Sequence, residues 1–158
     1  MLKSRILLVD DEKVFTGNMS KLLENRGYIV NAVNSGEEAV EAMSRLKFDV
    51  VVLDLKMPGM DGLATLAEIN KLGIFTEVLI LTGHGSIDSA LEAMKIGAYD
   101  YLTKPCEIDQ LVEKIEGAWQ RKDEVEKKDM EEKIKKIVES PSAVLDMLPG
   151  KKKKEGKK

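Results

Sequence analysis

The segment Asp49-Val-Val-Val-Leu-Asp54 is an unbroken run of β-branched and aliphatic residues with an aspartate at each end. Such a run is typical of a parallel strand that is buried on both faces of its sheet. Four more strands are predicted on the same grounds, at Arg5–Asp10, Tyr28–Val33, Glu77–Thr82 and Tyr99–Leu102. The first, third and fourth strands in chain order are nearly continuous Val, Ile and Leu, so we expect them at the centre of the sheet.

Segments with apolar residues at helical spacing separate these strands. The stripes predicted to be buried are Phe15, Met19, Leu22 and Leu23; Ala39, Met43 and Leu46; Ile87, Ala90, Leu91 and Met94; and Ile108, Leu111, Val112 and Ile115. Ser35 with Glu38 three residues later is typical of a capping box, and Gly97 is placed to end the fourth helix. Five strands alternating with five helices predict an α/β fold with a doubly wound, five-stranded parallel sheet in the order 2-1-3-4-5.

Composition restricts the classes of protein that this chain can represent. With 158 residues and 43% hydrophobic residues, it is expected to form one domain with a single aliphatic core. The lone Cys106 cannot form an internal disulfide, and no signal peptide is recognisable, so we expect a cytoplasmic location. No apolar run approaches the ~20 residues that a membrane span needs.

The net charge of −3 is unevenly distributed along the chain. Residues 151–158 contain six Lys and one Glu, a net +5, which leaves −8 for residues 1–150. An acidic body does not favour direct nucleic-acid binding by the main domain. We expect a main domain at 1–121, a charged helical extension at 122–140, and a short apolar patch followed by a disordered lysine-rich tail at 141–158.

Polar side chains follow four of the five predicted strands, namely Asp10, Asp11 and Glu12, then Asp54, Thr82 and Lys104. The carboxyl ends of parallel strands share one edge of the sheet, where ligands bind in folds of this class. Carboxylates that converge there repel by ~4 kcal/mol per close pair at an effective dielectric near 20, so a cation is implied. Zinc would call for Cys or several His ligands, and the chain has one of each. Carboxylate oxygens as ligands therefore favour Mg²⁺.

A carboxylate that lies beside a divalent ion and faces a lysine and a hydroxyl is suited to phosphoryl transfer. Asp54 is the predicted nucleophile. The metal and Lys104 would offset charge on the phosphoryl oxygens, and the Thr82 hydroxyl would donate a hydrogen bond to one of them.

Together these residues resemble the response-regulator receiver domain of two-component signalling. The resemblance covers residues 4 to about 120 and rests on Asp10-Asp11, Asp54-Leu-Lys-Met-Pro58-Gly-Met-Asp61-Gly62, Thr82-Gly83 and Lys104-Pro105. Residues Leu81–Pro105 are especially similar to receivers of enhancer-binding transcriptional activators. The resemblance implies a flavodoxin-like receiver fold and a phosphorylation site at Asp54.

The resemblance also implies a role for each neighbour of Asp54. Asp11 and Asp54 would ligate Mg²⁺ directly, Asp10 would act largely through water, and Lys56 would supply its backbone carbonyl. Pro105 would follow a cis peptide bond that aims Lys104 inward. Tyr101 would change rotamer as Thr82 moves, so that the surface of helix 4, strand 5 and helix 5 carries the signal.

The implied protein is a signalling switch, which is not an enzyme in the usual sense but assists its own phosphoryl transfer and aspartyl-phosphate hydrolysis. Its implied partners are a sensor histidine kinase or phosphotransfer protein and a downstream protein, and a homodimer formed through the helical extension stays open. No output domain is evident, so the chain is either a stand-alone receiver or a fragment of a longer regulator.

The sequence fits three other kinds of protein less well. A nucleotide- or flavin-binding module needs a glycine-rich loop after the first strand, where this chain has Asp-Asp-Glu. A phosphatase of the haloacid-dehalogenase type pairs its nucleophile with an Asp two residues later, where this chain has Lys56. A receiver that serves only as a docking platform would be marked by degenerate acidic residues, and none is degenerate here.

Overall fold

The structure, a computed structural model, describes residues 4–83, 87–140 and 142. The chain divides into two units, Met1–Lys122 and Asp123–Lys158. All five strands lie in the first unit. The predicted apolar patch at Ala143–Leu148, the lysine-rich tail and His84 lie outside the described residues.

The sheet has five parallel strands in the order β2-β1-β3-β4-β5, which confirms the predicted topology. The strands are β1 Arg5–Val9, β2 Ile29–Val33, β3 Val50–Leu53, β4 Glu77–Thr82 and β5 Asp100–Thr103. In the central pair, Ile6 is opposite Val50 and Val9 is opposite Leu53. Asp10 and Asp54, which were predicted to end their strands, lie just beyond them.

Five helices connect the strands: α1 Lys13–Asn25, α2 Gly36–Arg45, α3 Gly62–Lys71, α4 Ile87–Lys95 and α5 Ile108–Glu139. The predicted capping box is present at α2, where the Ser35 hydroxyl accepts from the Glu38 N–H at 3.1 Å. In a regular capping box the Glu38 carboxylate would accept from the Ser35 N–H. Here it accepts from the N–H of the preceding residue, Asn34, at 2.7 Å. Gly97 follows α4 at φ 113°, a backbone conformation that a glycine adopts without strain.

Two hydrophobic clusters cover the two faces of the sheet. One joins alternate strand residues, including Leu7, Val51 and Ile80, to α2, α3 and α4. The other joins the intervening residues, including Leu8, Val52 and Leu81, to α1 and α5. Because both faces of β1, β3 and β4 are buried, their apolar residues alternate between the clusters, and polar residues stand only at the ends of these strands. This arrangement explains the unbroken apolar runs of the central strands.

Four residues assigned to buried stripes are in fact largely exposed: Leu22 at 44%, Leu46 at 43%, Ile87 at 50% and Leu91 at 49%. Helical spacing identifies the apolar side of a helix, but it does not indicate how much of that side contacts the sheet. Leu46 falls on the C-cap of α2 with extended backbone angles, so it has left the helical stripe. On α4 the fully buried positions are the small residues Ala90 and Ala93.

The second unit contains the distal part of α5, where Asp–Lys pairs at i, i+4 spacing line the helix surface. Asp123 pairs with Lys127 at 3.2 Å, and Asp129 pairs with Lys133 at 3.1 Å. Such pairs support a solvated helix by a few tenths of a kcal/mol each. The division into residues 1–121 and an extension at 122–140 stays a prediction. Within the described ranges, no helix combines the length and the apolarity that a membrane span requires.

Candidate functional site

Three aspartates lie close together at the carboxyl edge of the sheet. Asp10 and Asp54 are held by backbone bonds that continue the strand pairing, from the Asp10 N–H to Val33 O at 3.2 Å and from the Asp54 N–H to Val9 O at 3.0 Å. Both are buried, with 1% and 5% of their surface exposed, whereas Asp11 is exposed. One carboxylate oxygen from each of the three lies within 4.8 Å of the others.

Lys104 brings a positive charge into this cluster from the far end of β5. Its N–H donates to Thr82 O at 2.7 Å, and its peptide bond to Pro105 is cis. The Lys104 ammonium lies 2.5 Å from Asp10 Oδ2, 3.1 Å from Glu12 Oε1 and 4.0 Å from Asp54 Oδ2. It also sits 4.3 Å from the centroid of the Phe15 ring. The lysine therefore bonds to the acidic turn after β1, Asp10-Asp11-Glu12, and remains close enough to Asp54 to attract its carboxylate.

The surroundings of Asp54 disfavour its ionised form. Burial contributes most and the Asp10 carboxylate adds to it, so the pKa of Asp54 is raised despite Lys104 and the Lys56 N–H, which lower it. Lys104 shows the opposite balance. Burial opposes its charge, but hydrogen bonds to Asp10 and Glu12 outweigh the burial and raise the pKa of its ammonium. The site thus holds more negative charge than Lys104 alone can offset.

Thr82 ends β4 beside Asp54. Its hydroxyl is buried and forms no hydrogen bond of regular geometry with any described residue, yet it is near enough to the Asp54 carboxylate to favour its charge slightly. A buried hydroxyl without a regular partner is uncommon, since leaving one unsatisfied costs about 1–3 kcal/mol. The Thr82 hydroxyl therefore lies near the Asp54 carboxylate without a regular hydrogen-bond partner among the described residues.

The remaining predicted residues lie around this cluster. The exposed Lys56 donates its N–H to Asp54 Oδ1 at 3.3 Å. Tyr101 is opposite Ile80 in the sheet and is partly buried against the hydrophobic cluster that includes Ala90 and Ala93. Its N–H donates to Asp100 Oδ1 at 2.8 Å, and the described part of the chain shows no hydrogen bond from Tyr101 to Asp10, Asp11 or Asp54. The position of Tyr101 is compatible with a packing role as well as with a switching role.

Two residues of the site carry contacts that no motif predicted. Glu12 belongs to the predicted acidic turn, and it is the second partner of Lys104. Asn34, the first residue after β2, donates to the Asp10 backbone carbonyl at 2.8 Å. The position of Glu12 directly after Asp10-Asp11 is a sequence signal for a place at the site. Nothing in the spacing of the sequence indicates that residue 34 reaches residue 10.

The donor set fits a hard divalent cation. It consists of carboxylate oxygens, the ligands that Mg²⁺ prefers, on one edge that is partly open to solvent because Asp11 is exposed. A bound cation would also relieve the repulsion between Asp10 and Asp54. Within the described ranges this is the only group of three acidic, His or Cys side chains close enough to hold a metal.

Comparisons with known proteins agree with this geometry. The family model described as the response regulator receiver domain matches residues 6–116. The chain is 43% identical over 113 residues to the transcriptional regulatory protein ZraR of Escherichia coli, covering 72% of this chain and 26% of that protein. It is 37% identical over 116 residues to FixJ of Bradyrhizobium diazoefficiens, covering 73% and 57% of the two chains. The chain thus spans about a quarter of ZraR.

Solved structures give the same result. The response regulator receiver domain protein of Clostridium thermocellum superposes with a TM-score of 0.74 at 39% identity, over 77% of this chain and 98% of that one. The signal receiver domain of a Luxo repressor protein from Vibrio parahaemolyticus gives 0.74 at 33% identity, over 79% and 96%. The fold, the sequence and the acidic cluster agree, and this chain belongs to the response regulator receiver domain family of two-component signal transduction.

Proposed function

We propose that this protein accepts a phosphoryl group on Asp54, with Mg²⁺ bound by the neighbouring carboxylates, and changes its surface in response. The observation that carries the proposal is the grouping of Asp10, Asp11 and Asp54 within 4.8 Å, with the Lys104 ammonium 4.0 Å from Asp54 Oδ2. A charged cluster of this kind, buried at two of its three acids, has no evident role in stabilising the fold.

The proposed step is an in-line displacement at phosphorus. A carboxylate oxygen of Asp54 forms the new O–P bond while the P–N bond of a phosphohistidine breaks, and its electron pair stays on the departing imidazole, which takes up a proton. The donor would be a sensor histidine kinase or a phosphotransfer protein. A small acyl phosphate can replace it, because its P–O bond breaks in the same sense and releases a carboxylate.

The residues around Asp54 would hold the reactants and offset charge. The candidate ligands for Mg²⁺ are the carboxylates of Asp11 and Asp54, Asp10 through water, and the Lys56 backbone carbonyl. When bound, the cation supplies positive charge for the phosphoryl oxygens. Lys104 would give up part of its contact with Asp10 or Glu12 to reach a phosphoryl oxygen. The Thr82 hydroxyl, which has no regular partner among the described residues, would donate to another.

The proposed output surface is formed by α4, β5 and α5. A shift of Thr82 toward the phosphoryl group would open space beside Tyr101, which is only partly buried against the core cluster under α4. The exposed Ile87 and Leu91 on α4 offer apolar contacts to a downstream protein. Since the chain is similar to about a quarter of the transcriptional regulatory protein ZraR, we further propose that it controls transcription through a further domain. We also propose that a homodimer can form through the α5 extension.

The test is the intact mass of the purified protein after incubation with acetyl phosphate, with and without Mg²⁺, beside Asp54→Asn. We expect a gain of one phosphoryl group that requires Mg²⁺ and that Asp54→Asn lacks. A wild-type protein that gains no mass under any condition would refute the proposal and favour a receiver that acts only as a docking platform. An equal gain in Asp54→Asn would refute the assignment of Asp54.

A further inference from the structure

The side-chain amide of Asn34 adds a connection at the carboxyl edge of the sheet, beside the backbone bond from the Asp10 N–H to Val33 O at 3.2 Å. It donates to the backbone carbonyl of Asp10 at 2.8 Å and to the hydroxyl of Thr16 at 3.3 Å. Thr16 is buried in α1 and donates in turn to Lys13 O at 3.1 Å. Through one amide, the β2–α2 connection therefore bonds to the acidic turn after β1 and to the first turn of α1.

The position of Asn34 is itself fixed by the start of α2. Its N–H donates to the Glu38 carboxylate at 2.7 Å, and the adjacent Ser35 caps the helix. Gly36 is buried against the loop after β3, since a Cβ there would lie 2.9 Å from Met60 O and would overlap Thr65 Oγ1. A side chain attached to so constrained a backbone loses little entropy when it bonds, which favours a directing role.

Asn34 bonds to the backbone carbonyl of Asp10, while the other polar groups of Asp10 have partners elsewhere, beginning with its N–H, which donates to Val33 O at 3.2 Å. Asp10 Oδ1 accepts from the Glu12 N–H at 3.0 Å and Oδ2 accepts from Lys104, so both carboxylate oxygens already have partners. The Asp10 carbonyl begins the peptide that leads to Asp11, whose exposed carboxylate completes the cluster. The orientation of this peptide determines where the Asp11 carboxylate lies relative to Asp54.

We propose that Asn34 is a positioning residue for the metal site, which it serves by orienting the Asp10–Asp11 peptide. The inference rests on the proposed function, since it requires that Mg²⁺ binds at the acidic cluster. Asn34 provides no ligand of its own. Outer partners of metal ligands commonly change affinity by 10- to 100-fold when removed.

Asn70 offers a matched control for a purely structural role. Its side-chain amide donates to Ile96 O at 2.7 Å, near the ends of α3 and α4 and at the opposite edge of the sheet from the aspartates. Asn34→Ala and Asn70→Ala each remove an amide that bonds a backbone carbonyl. Both should lower the melting temperature to a similar extent, so a change in metal affinity separates the two roles.

The experiment is calorimetric titration of Mg²⁺ into wild type, Asn34→Ala, Asn70→Ala and Thr16→Val, with melting temperatures measured in EDTA. We expect the Mg²⁺ dissociation constant to rise about tenfold in Asn34→Ala, to rise less in Thr16→Val, and to stay within twofold of wild type in Asn70→Ala. If wild type binds Mg²⁺ and Asn34→Ala binds it equally well, or if Asn70→Ala weakens binding as much, only the role of Asn34 is refuted. If wild type binds no Mg²⁺, both the proposed function and this inference fail.

Discussion

Replacing Asp54 by Asn should stabilise the metal-free protein at neutral pH. At an effective dielectric near 20, Asp54 is repelled by about 3 kcal/mol by a carboxylate 4.8 Å away, and it is attracted by about 4 kcal/mol to an ammonium 4.0 Å away. Lys104 thus offsets roughly one of the two repulsions from Asp10 and Asp11. Solvent screens the exposed Asp11, so a net gain of about 1–3 kcal/mol in the free energy of unfolding is expected for Asp54→Asn.

The pH dependence has a definite sign. Burial and Asp10 raise the pKa of Asp54 in the folded state above its value in the unfolded chain. Ionised Asp54 therefore destabilises the fold above the raised pKa, and this effect disappears as the pH falls through that pKa toward about 4, the ordinary value. The advantage of Asp54→Asn should be largest at pH 7 and should vanish near pH 4.

Urea denaturation in EDTA at both pH values is the assay, and Asp49→Asn is the control. Asp49 lies at the other end of β3, where it accepts from the Arg5 N–H at 2.8 Å and from the Lys122 ammonium at 2.9 Å. Asp49→Asn should lower the free energy of unfolding by about 1 kcal/mol at pH 7, whereas Asp54→Asn should raise it. If Asp54→Asn were neutral or destabilising at pH 7 in EDTA, the description of an acidic cluster with excess negative charge would be wrong.

Three further substitutions test other parts of the account. Lys104→Ala leaves the buried Asp10 carboxylate without its cation and should cost about 3 kcal/mol in urea denaturation, while Asp54 remains modifiable by acetyl phosphate in an intact-mass assay. Gly36→Ala places a Cβ against Thr65 Oγ1 and should lower the free energy of unfolding by about 2 kcal/mol. An unchanged midpoint of urea denaturation would show that the backbone at the start of α2 can move to accommodate the Cβ. Burial raises the pKa of Asp100, but hydrogen bonds from Lys114 and the Tyr101 N–H outweigh it and lower that pKa overall. In Lys114→Gln the Asp100 pKa should rise toward its ordinary value when followed by carboxyl NMR, so acid should remove less stability through Asp100 than it removes in the wild-type protein.

The fold could be predicted from the sequence because local pattern and topology agree. The apolar runs of β1, β3 and β4 mark strands buried on both faces, and the right-handed crossover rule leaves few strand orders to consider. Helix faces were less accurately predicted. Ile87 and Leu91 have helical spacing, but α4 touches the sheet through Ala90 and Ala93, so the larger residues are exposed. Hydrophobicity alone does not indicate how closely a helix approaches its sheet.

The members of the site could be predicted more fully than their contacts. The parallel topology requires Asp10 and Asp54 to share one edge, and the structure places them together. The bond between Lys104 and Glu12, and the bond from Asn34 to the Asp10 carbonyl, depend on side-chain rotamers and loop paths. Such details follow from packing in three dimensions and leave no periodic mark in the sequence.

The central claim is that the phosphoryl group resides on Asp54, and borohydride reduction after treatment with acetyl phosphate and Mg²⁺ tests it most directly. Borohydride converts an aspartyl phosphate to homoserine, which peptide mass spectrometry locates along the chain. We expect homoserine at position 54 in the wild-type protein, and none anywhere when Mg²⁺ is withheld. Homoserine at Asp10 or Asp11 with position 54 unchanged, or a stable phosphoryl group on another residue type such as His84, would contradict the account.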